Sequence, residues 1–115
     1  MQAEQFIKAM AALAQEHRLA AFRRLVQAGP QGVAAGALAD ALDVPPSSMS
    51  FHLAQLSHAG LVGQRREGRS IIYAANYPAM TALLAYLTEN CCAGADCGSD
   101  AAIACLPGEA ERNVA

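Results

Sequence analysis

The chain has 115 residues, of which 54% are hydrophobic and only 5% aromatic, and its net charge is −2 at pH 7. This length predicts one compact domain, and a core of mostly small aliphatic side chains is more typical of packed helices than of a sheet sandwich. No apolar run approaches the ~18 residues of a membrane-spanning helix, and residues 1–10 lack the pattern of a signal peptide, so we expect a cytoplasmic protein without a membrane partner.

The charged residues are divided unevenly along the chain. Residues 1–88 hold seven of the eight Lys and Arg residues and five of the ten Asp and Glu residues, a net charge of +2. Residues 89–115 hold the remaining basic residue and the remaining five acidic residues, a net charge of −4. Because an acidic C-terminal end masks a mildly basic body, the total charge does not exclude a nucleic-acid partner.

Apolar residues at helical spacing predict two helices in the first 28 residues. The first spans residues 3–14, and the triplet Glu16-His17-Arg18 interrupts the pattern before the second helix takes over. Gly29 and Pro30 end the second helix, because glycine suits a helix C-terminus and proline cannot continue a helix. The side chains predicted to face inward from the second helix are Leu19, Phe22, Leu25 and Val26.

A second pair of helices flanks the Pro45-Pro46 dipeptide. The third helix runs from about Ala34 to Leu42, and the fourth runs from Ser47, a good N-cap residue, to about His58. Gly60 then suits the left-handed residue that closes such a helix. The residues of the fourth helix predicted to be buried are Met49, Leu53 and Leu56.

Two further runs, residues 61–66 and 69–74, predict a β-hairpin with its turn at Glu67-Gly68. From about Pro78 a fifth helix follows, and its apolar stripe consists of Met80, Leu83, Leu84 and Leu87. The helical pattern ends after Asn90, and we expect a domain of residues 1–92 and a flexible cysteine-containing tail of residues 93–115. The predicted fold class is mainly α with a β-hairpin wing, in the order ααααββα.

The succession of helix, turn, helix and basic hairpin predicts a winged helix-turn-helix that binds double-stranded DNA. A recognition helix enters the major groove with its N-terminal end, where small and polar residues allow close approach to phosphates and base edges. Arginines on the hairpin suit phosphates or a narrow minor groove. The candidate DNA-binding residues are Ser47, Ser48, Ser50, His52, Gln55, Arg65, Arg66 and Arg69. The alternative is a metal-binding or interaction module with an ordinary exposed face that does not bind DNA.

The motif SFHLAQL at residues 50–56, with AGLV at 59–62, REGR at 66–69 and Tyr73, resembles the winged-helix core of the ArsR/SmtB family of metal-sensing bacterial repressors. The likeness covers roughly residues 5–92. It implies a homodimer whose first and last helices form the interface, and a repressor that leaves operator DNA when its inducer binds. Such an interface suits the apolar stripe of the fifth helix. It also suits the apolar stripe of the first helix, which consists of Phe6, Met10 and Leu13.

Two inducer sites that the family uses are absent from this sequence. The first helix of the helix-turn-helix has no cysteine, and the last helix has no histidine and only Glu89 as a carboxylate. All four cysteines lie near the C-terminus, an arrangement that resembles a subgroup of arsenite-responsive members with a cysteine pair at the end of the last helix and a third cysteine just beyond. The resemblance implies Cys91, Cys92 and Cys97 as ligands of arsenite or antimonite, with Cys105 as a further candidate.

Other uses of the same thiolates stay open at this point. Thiolates are soft ligands that also suit cadmium and zinc, an organic arsenical needs only two of them, and a disulfide between them would make a redox switch. The sequence does not predict an enzyme or a catalytic cofactor, because no nucleophile, base and orienting group occur together and no anion-binding loop flanks the cysteine pair.

Overall fold

Five α-helices and a three-stranded antiparallel sheet make up residues 1–94, the part of the chain that the computed structural model describes. The helices are α1 (Ala3–Leu13), α2 (Glu16–Ala28), α3 (Ala35–Leu42), α4 (Pro46–His58) and α5 (Tyr77–Thr88). The strands are β1 (Val33–Ala34), β2 (Val62–Glu67) and β3 (Ser70–Ala75), and a 3₁₀ turn follows at Cys91–Gly94. This order confirms the predicted winged helix-turn-helix and adds β1 to it.

The core lies where α2, α3, α4 and the sheet meet, and its largest fully buried side chains are Leu25, Leu38, Met49, Leu53, Leu56 and Leu61. The three predicted core residues of α4 are therefore confirmed. The prediction for Leu19 is wrong, because this side chain is 45% exposed and Ala21 is fully buried instead. The Glu16-His17-Arg18 triplet forms the first turn of α2 rather than an interruption, because the Gln15 side chain caps the helix by accepting a hydrogen bond from the Arg18 amide at 2.9 Å.

The N-cap of helix α4 lies two residues earlier than predicted. Pro46 is its first residue, Pro45 is its N-cap, and no side chain caps the helix. Proline is favourable at the first helical position, because its φ is already suited to the helix and its missing N–H would have had no acceptor there. Ser47 is therefore a first-turn residue and not the N-cap, so its hydroxyl is not used to cap the helix.

Strand β1 has only two residues, too few to show the alternation by which a strand is predicted. It pairs with β3 in antiparallel fashion, with Val33 opposite Tyr73. The chain enters β1 through Gly32, which has a φ of +76°, and a Cβ at this position would collide with the backbone carbonyl of Tyr73. The close approach of β1 to β3 therefore requires glycine at position 32.

The hairpin turn lies one residue later than predicted. Glu67 pairs with Ser70, so the two turn residues are Gly68 and Arg69 rather than Glu67 and Gly68. Gly68 has a φ of +63°, a conformation that two-residue hairpin turns favour and that glycine adopts without strain. Arg69 consequently sits at the tip of the wing itself.

Helix α5 is capped by Asn76, whose Oδ1 accepts a hydrogen bond from the Ala79 amide at 3.2 Å, and Pro78 lies in its first turn as predicted. Leu83 packs into the core, whereas Leu84 and Leu87 are 47% and 59% exposed within the described part of the chain. None of the helices in residues 1–94 is long and apolar enough to cross a membrane.

Candidate nucleic-acid interface and cysteine pair

The exposed face of α4 lies opposite the face that fills the core. Ser47, Ser48 and Ser50 are all exposed and all lie in the N-terminal half of the helix. Because α4 has no side-chain cap, the first-turn amides of Ser47 and Ser48 have no acceptor within the helix, and the positive end of the helix dipole lies beside them. This arrangement of hydroxyls and amides is suited to a phosphate group.

His52 and Gln55 are less accessible than the three serines, and both are half-buried. The ring of His52 packs against the start of α2, where its centroid lies 5.5 Å from that of His17. Its Nδ1 is buried and has no hydrogen-bond partner among the described residues. The base-reading role of His52 stays a prediction.

Burial lowers the pKa of His52 below its ordinary value of 6.5, and the positive charges of Arg18 and then His17 lower the pKa further. The unfolded chain therefore binds a proton at this histidine more readily than the folded chain does. It follows that this group contributes stability above about pH 6.5, and that the contribution is lost as the pH falls toward the lowered pKa.

Replacing His52 with glutamine is expected to make the stability of the protein less dependent on pH below about 6.5. The glutamine side chain is polar and of similar length but does not titrate, so acidification no longer places a charge beside Arg18. Urea unfolding at about pH 7.5 and about pH 5.5 measures the change for wild type and variant. His58→Gln, at an exposed position of the same helix, is the matched control. An equal loss of stability on acidification in wild type and His52→Gln would contradict the prediction.

The three wing arginines have different surroundings. Arg65 donates from Nε to Glu67 Oε2 at 2.7 Å and from Nη2 to the Gln31 carbonyl at 2.8 Å, so it connects β2 to the loop before β1. Arg66 and Arg69 are exposed and make no described hydrogen bond or ion pair. The structure therefore gives Arg65 a bracing contact within the wing, and leaves Arg66 and Arg69 as the cations most accessible to DNA.

The cysteine pair lies in the turn that follows α5. The sulfur atoms of Cys91 and Cys92 are 3.7 Å apart, and both side chains are exposed. Two sulfurs bound to one tetrahedral ion at about 2.3 Å each would lie about 3.8 Å apart, so this spacing fits a shared ligand once the disulfide that Cys92 forms is reduced. Within residues 1–94 no group of three His, Cys, Asp or Glu side chains could hold a metal ion. The predicted ligands Cys97 and Cys105 lie outside the described residues.

A second exposed surface is apolar and belongs to α1 and α5. Phe6 packs against Tyr86 with 4.8 Å between ring centroids and so joins the two helices. On these two helices the large hydrophobic side chains with at least two fifths of their surface exposed are Ile7, Met10, Leu84 and Leu87. The apolar stripes predicted from the sequence are thus partly used in the core and partly left on the surface.

Sequence reasoning overlooked Phe51, which lies on the exposed face of α4 with 57% of its surface accessible. Its position relative to Met49, Leu53 and Leu56 could have revealed this, because those three residues define the buried face of the helix. Because Phe51 lies on the same exposed face of α4 as the three serines, it joins the polar residues as a candidate for contact with DNA.

Comparisons with known proteins agree on the class of this chain. A family model described as a helix-turn-helix domain matches residues 13–65. The structure is similar to NolR from Sinorhizobium fredii, with 31% identity over 76% of this chain and 84% of that one and a TM-score of 0.61. It is also similar to an ArsR-like transcriptional regulator from Rhodococcus sp. RHA1, with 28% identity over 79% and 82% of the two chains and a TM-score of 0.66.

A third similar structure is the homodimeric winged helix-turn-helix DNA-binding domain of a possible ArsR-family regulator from Mycobacterium bovis. It shares 29% identity over 76% of this chain and 81% of that one, with a TM-score of 0.60. No curated protein sequence matches this chain.

Proposed function

Because this chain belongs to the ArsR family of winged helix-turn-helix transcriptional regulators, which are not enzymes, we propose that it is a cytoplasmic homodimeric repressor released from operator DNA by trivalent arsenic or antimony. The observation that carries this proposal is the pair of sulfur atoms 3.7 Å apart at the end of α5. In the reduced protein, Cys91, Cys92 and Cys97 bind the inducer, with Cys105 as a further candidate ligand.

The chemistry of the ligand set supports a soft ion. Thiolates are soft ligands, and three of them can surround an arsenic or antimony atom as a pyramid, with its lone pair in the fourth direction. Cys91 and Cys92 are adjacent in the sequence, so an ion bound by one thiolate meets the other at a high effective concentration. Four residues separate Cys92 from Cys97 in the sequence, a spacing that allows both thiolates to bind one ion.

The proposed coupling runs from the cysteine pair through α5 to the recognition helix α4. Asn76 links the two helices, since its Oδ1 caps α5 while its Nδ2 donates to the Gly60 carbonyl at the end of α4 at 2.9 Å. Its backbone amide also donates to the Leu61 carbonyl at 2.8 Å. A shift of α5 on inducer binding therefore acts on the end of α4, and the inducer drives release because it binds the non-DNA-binding state more tightly.

Dimerisation in this proposal uses the exposed apolar surface of α1 and α5. Monomeric proteins seldom leave several large apolar side chains together in water, and a two-fold interface would cover the same surface on both protomers. The similar Mycobacterium bovis domain is homodimeric. A dimer would also present two copies of α4 to successive turns of the major groove, about 34 Å apart.

A redox-responsive or cadmium- or zinc-responsive repressor is the second candidate, and the exposure of Cys91 and Cys92 favours it as well. Fluorescence anisotropy of reduced protein on a labelled duplex from its own promoter separates the candidates. Arsenite or antimonite in anaerobic buffer is expected to release the DNA at lower concentrations than cadmium, zinc or peroxide. Release by peroxide, reversed by a dithiol and without any effect of arsenite, would instead favour the redox repressor. The absence of any binding by the ligand-free protein would favour a module that does not act on DNA.

Substituting alanine for both Arg66 and Arg69 is expected to weaken DNA binding and to reduce its dependence on salt. Each lost phosphate contact lowers the slope of log K against log salt concentration by roughly 0.9. Titrations at four salt concentrations measure that slope. The matched control is Arg23→Ala with Arg24→Ala, two exposed arginines on α2. A slope that is unchanged in the wing variant, or lowered equally in the control, would contradict the assignment of the wing to phosphate.

A further inference from the structure

Phe51 is the largest side chain on the exposed face of α4. Helical spacing places it on one stripe with Ser47, Ser50 and Ala54, all of which are exposed. Because these three neighbours are small, the phenyl ring stands above the surface that surrounds it. A ring in this position is the first apolar group of the helix that an approaching major groove would meet.

The exposed ring is not needed to fill the core. Met49, Leu53 and Leu56 occupy the buried face of α4 and are at most 1% exposed, whereas Phe51 is 57% exposed. Its ring makes an edge-on contact with His52, at 5.9 Å between centroids and an interplanar angle of 64°. This contact limits the directions the ring can take, so less freedom is lost when it enters an interface.

We propose that Phe51 is a specificity-determining residue that packs against the C5-methyl group of a thymine in the major groove of each half-site. The proposal rests on the proposed DNA binding and names the base that this position reads. Among the four base pairs, only those with thymine present an apolar group in the major groove. A phenyl ring has no hydrogen-bond donor or acceptor, so the thymine methyl is the group on the groove floor that it can bury favourably.

The flanking serines support this orientation. Ser47 and Ser50 lie one turn or less from Phe51, and their hydroxyls can bond phosphates or base edges beside the ring. His52 is half-buried against His17, so Phe51 is the large exposed side chain in this turn of the helix. The sequence preference of α4 is therefore set in part by an apolar contact and not by polar side chains alone.

Selection from a library of random double-stranded DNA tests the proposal, with wild-type protein and Phe51→Ala compared in parallel. The wild type is expected to enrich a two-fold symmetric sequence with a fixed thymine in each half-site, and Phe51→Ala is expected to lose that thymine while keeping the rest. Phe51→Leu, which retains an apolar side chain, is expected to keep part of the preference. Leu19→Ala, an exposed leucine on α2, is the matched control and is expected to select the wild-type sequence.

A second measurement removes only the methyl group. Uracil in place of the selected thymine is expected to weaken wild-type binding by about fourfold for each contacted methyl, and to leave binding by Phe51→Ala unchanged. Equal effects of uracil on both proteins would overturn the proposal. The absence of any effect on the wild type would also overturn it, and that result does not depend on whether the variant folds. Failure of the wild type to enrich any sequence would overturn the proposed DNA binding itself, so the two failures are distinguishable.

Discussion

Replacing both Cys91 and Cys92 with serine is expected to leave operator affinity unchanged and to prevent release at the arsenite concentrations that act on the wild type. Serine is similar to cysteine in size, and both positions are exposed in the turn after α5, so the core is not disturbed. A hydroxyl is a hard, protonated oxygen, however, and does not replace a thiolate on a soft ion. Because the variant loses two of the proposed ligands and the chelation they provide, we expect about 100-fold or more arsenite for the same release.

The measurement is DNA release in anaerobic buffer with a reductant that keeps the thiols reduced. Cys97→Ser and Cys105→Ser are matched variants, because each makes the same replacement of sulfur by oxygen at a cysteine farther along the chain. Cys97→Ser is expected to impair release strongly and Cys105→Ser only weakly. Release of the double variant at the wild-type arsenite concentration would exclude the cysteine pair as the inducer site.

The helices of this protein could be predicted because burial imposes a helical period on their sequences. Leu53 and Leu56 of α4 repeat at that period, and both are fully buried. Leu19 fits the period of α2 equally well, yet it is exposed, because Ala21 occupies the core side and a small residue carries little periodic signal. Periodicity thus identifies the helix more reliably than it identifies which face of the helix is buried.

Contacts between residues far apart in sequence could not be predicted in the same way. The charge of Arg65 makes it a candidate for DNA contact, which stays a prediction, but nothing in the local sequence indicates that its guanidinium donates to the Gln31 carbonyl, 34 residues away. Strand β1 exists because Gly32 lets the chain approach β3 closely, and two residues alone carry no strand pattern. In both cases the partner, the Gln31 carbonyl or strand β3, is distant in sequence, so the local sequence pattern does not predict the contact.

The candidate DNA-binding residues predicted from the sequence are all polar or basic, and their roles stay predictions. Polar and basic residues were selected because phosphates and base edges form hydrogen bonds, and this rule passes over Phe51. It also includes His52, whose polar ring packs against α2. An apolar contact with thymine is the one form of major-groove recognition that such a rule omits.

Introducing glutamate at both Leu84 and Leu87 is expected to convert the proposed dimer to a folded monomer and to weaken operator binding by about 100-fold or more. The two leucines are 47% and 59% exposed in the single chain, so the substitutions leave its core intact. In a two-fold interface each substitution occurs twice, which buries four carboxylates without partners. Sedimentation analysis measures the mass, and anisotropy on a full operator and on a half-site measures the affinity.

The matched control is Leu19→Glu, at a leucine that is 45% exposed on α2, outside the proposed interface. It introduces one glutamate per chain at a similarly exposed leucine and is expected to remain dimeric. Comparison of the two duplexes then separates assembly from recognition: a monomer with an intact α4 should bind the full operator no better than the half-site, whereas the wild-type dimer should prefer the full operator strongly. Leu87 lies four residues before Cys91, so an interface that includes it would place the proposed inducer site close in sequence to the contact between protomers. A Leu84→Glu and Leu87→Glu protein that stays dimeric would exclude this surface as the interface between protomers.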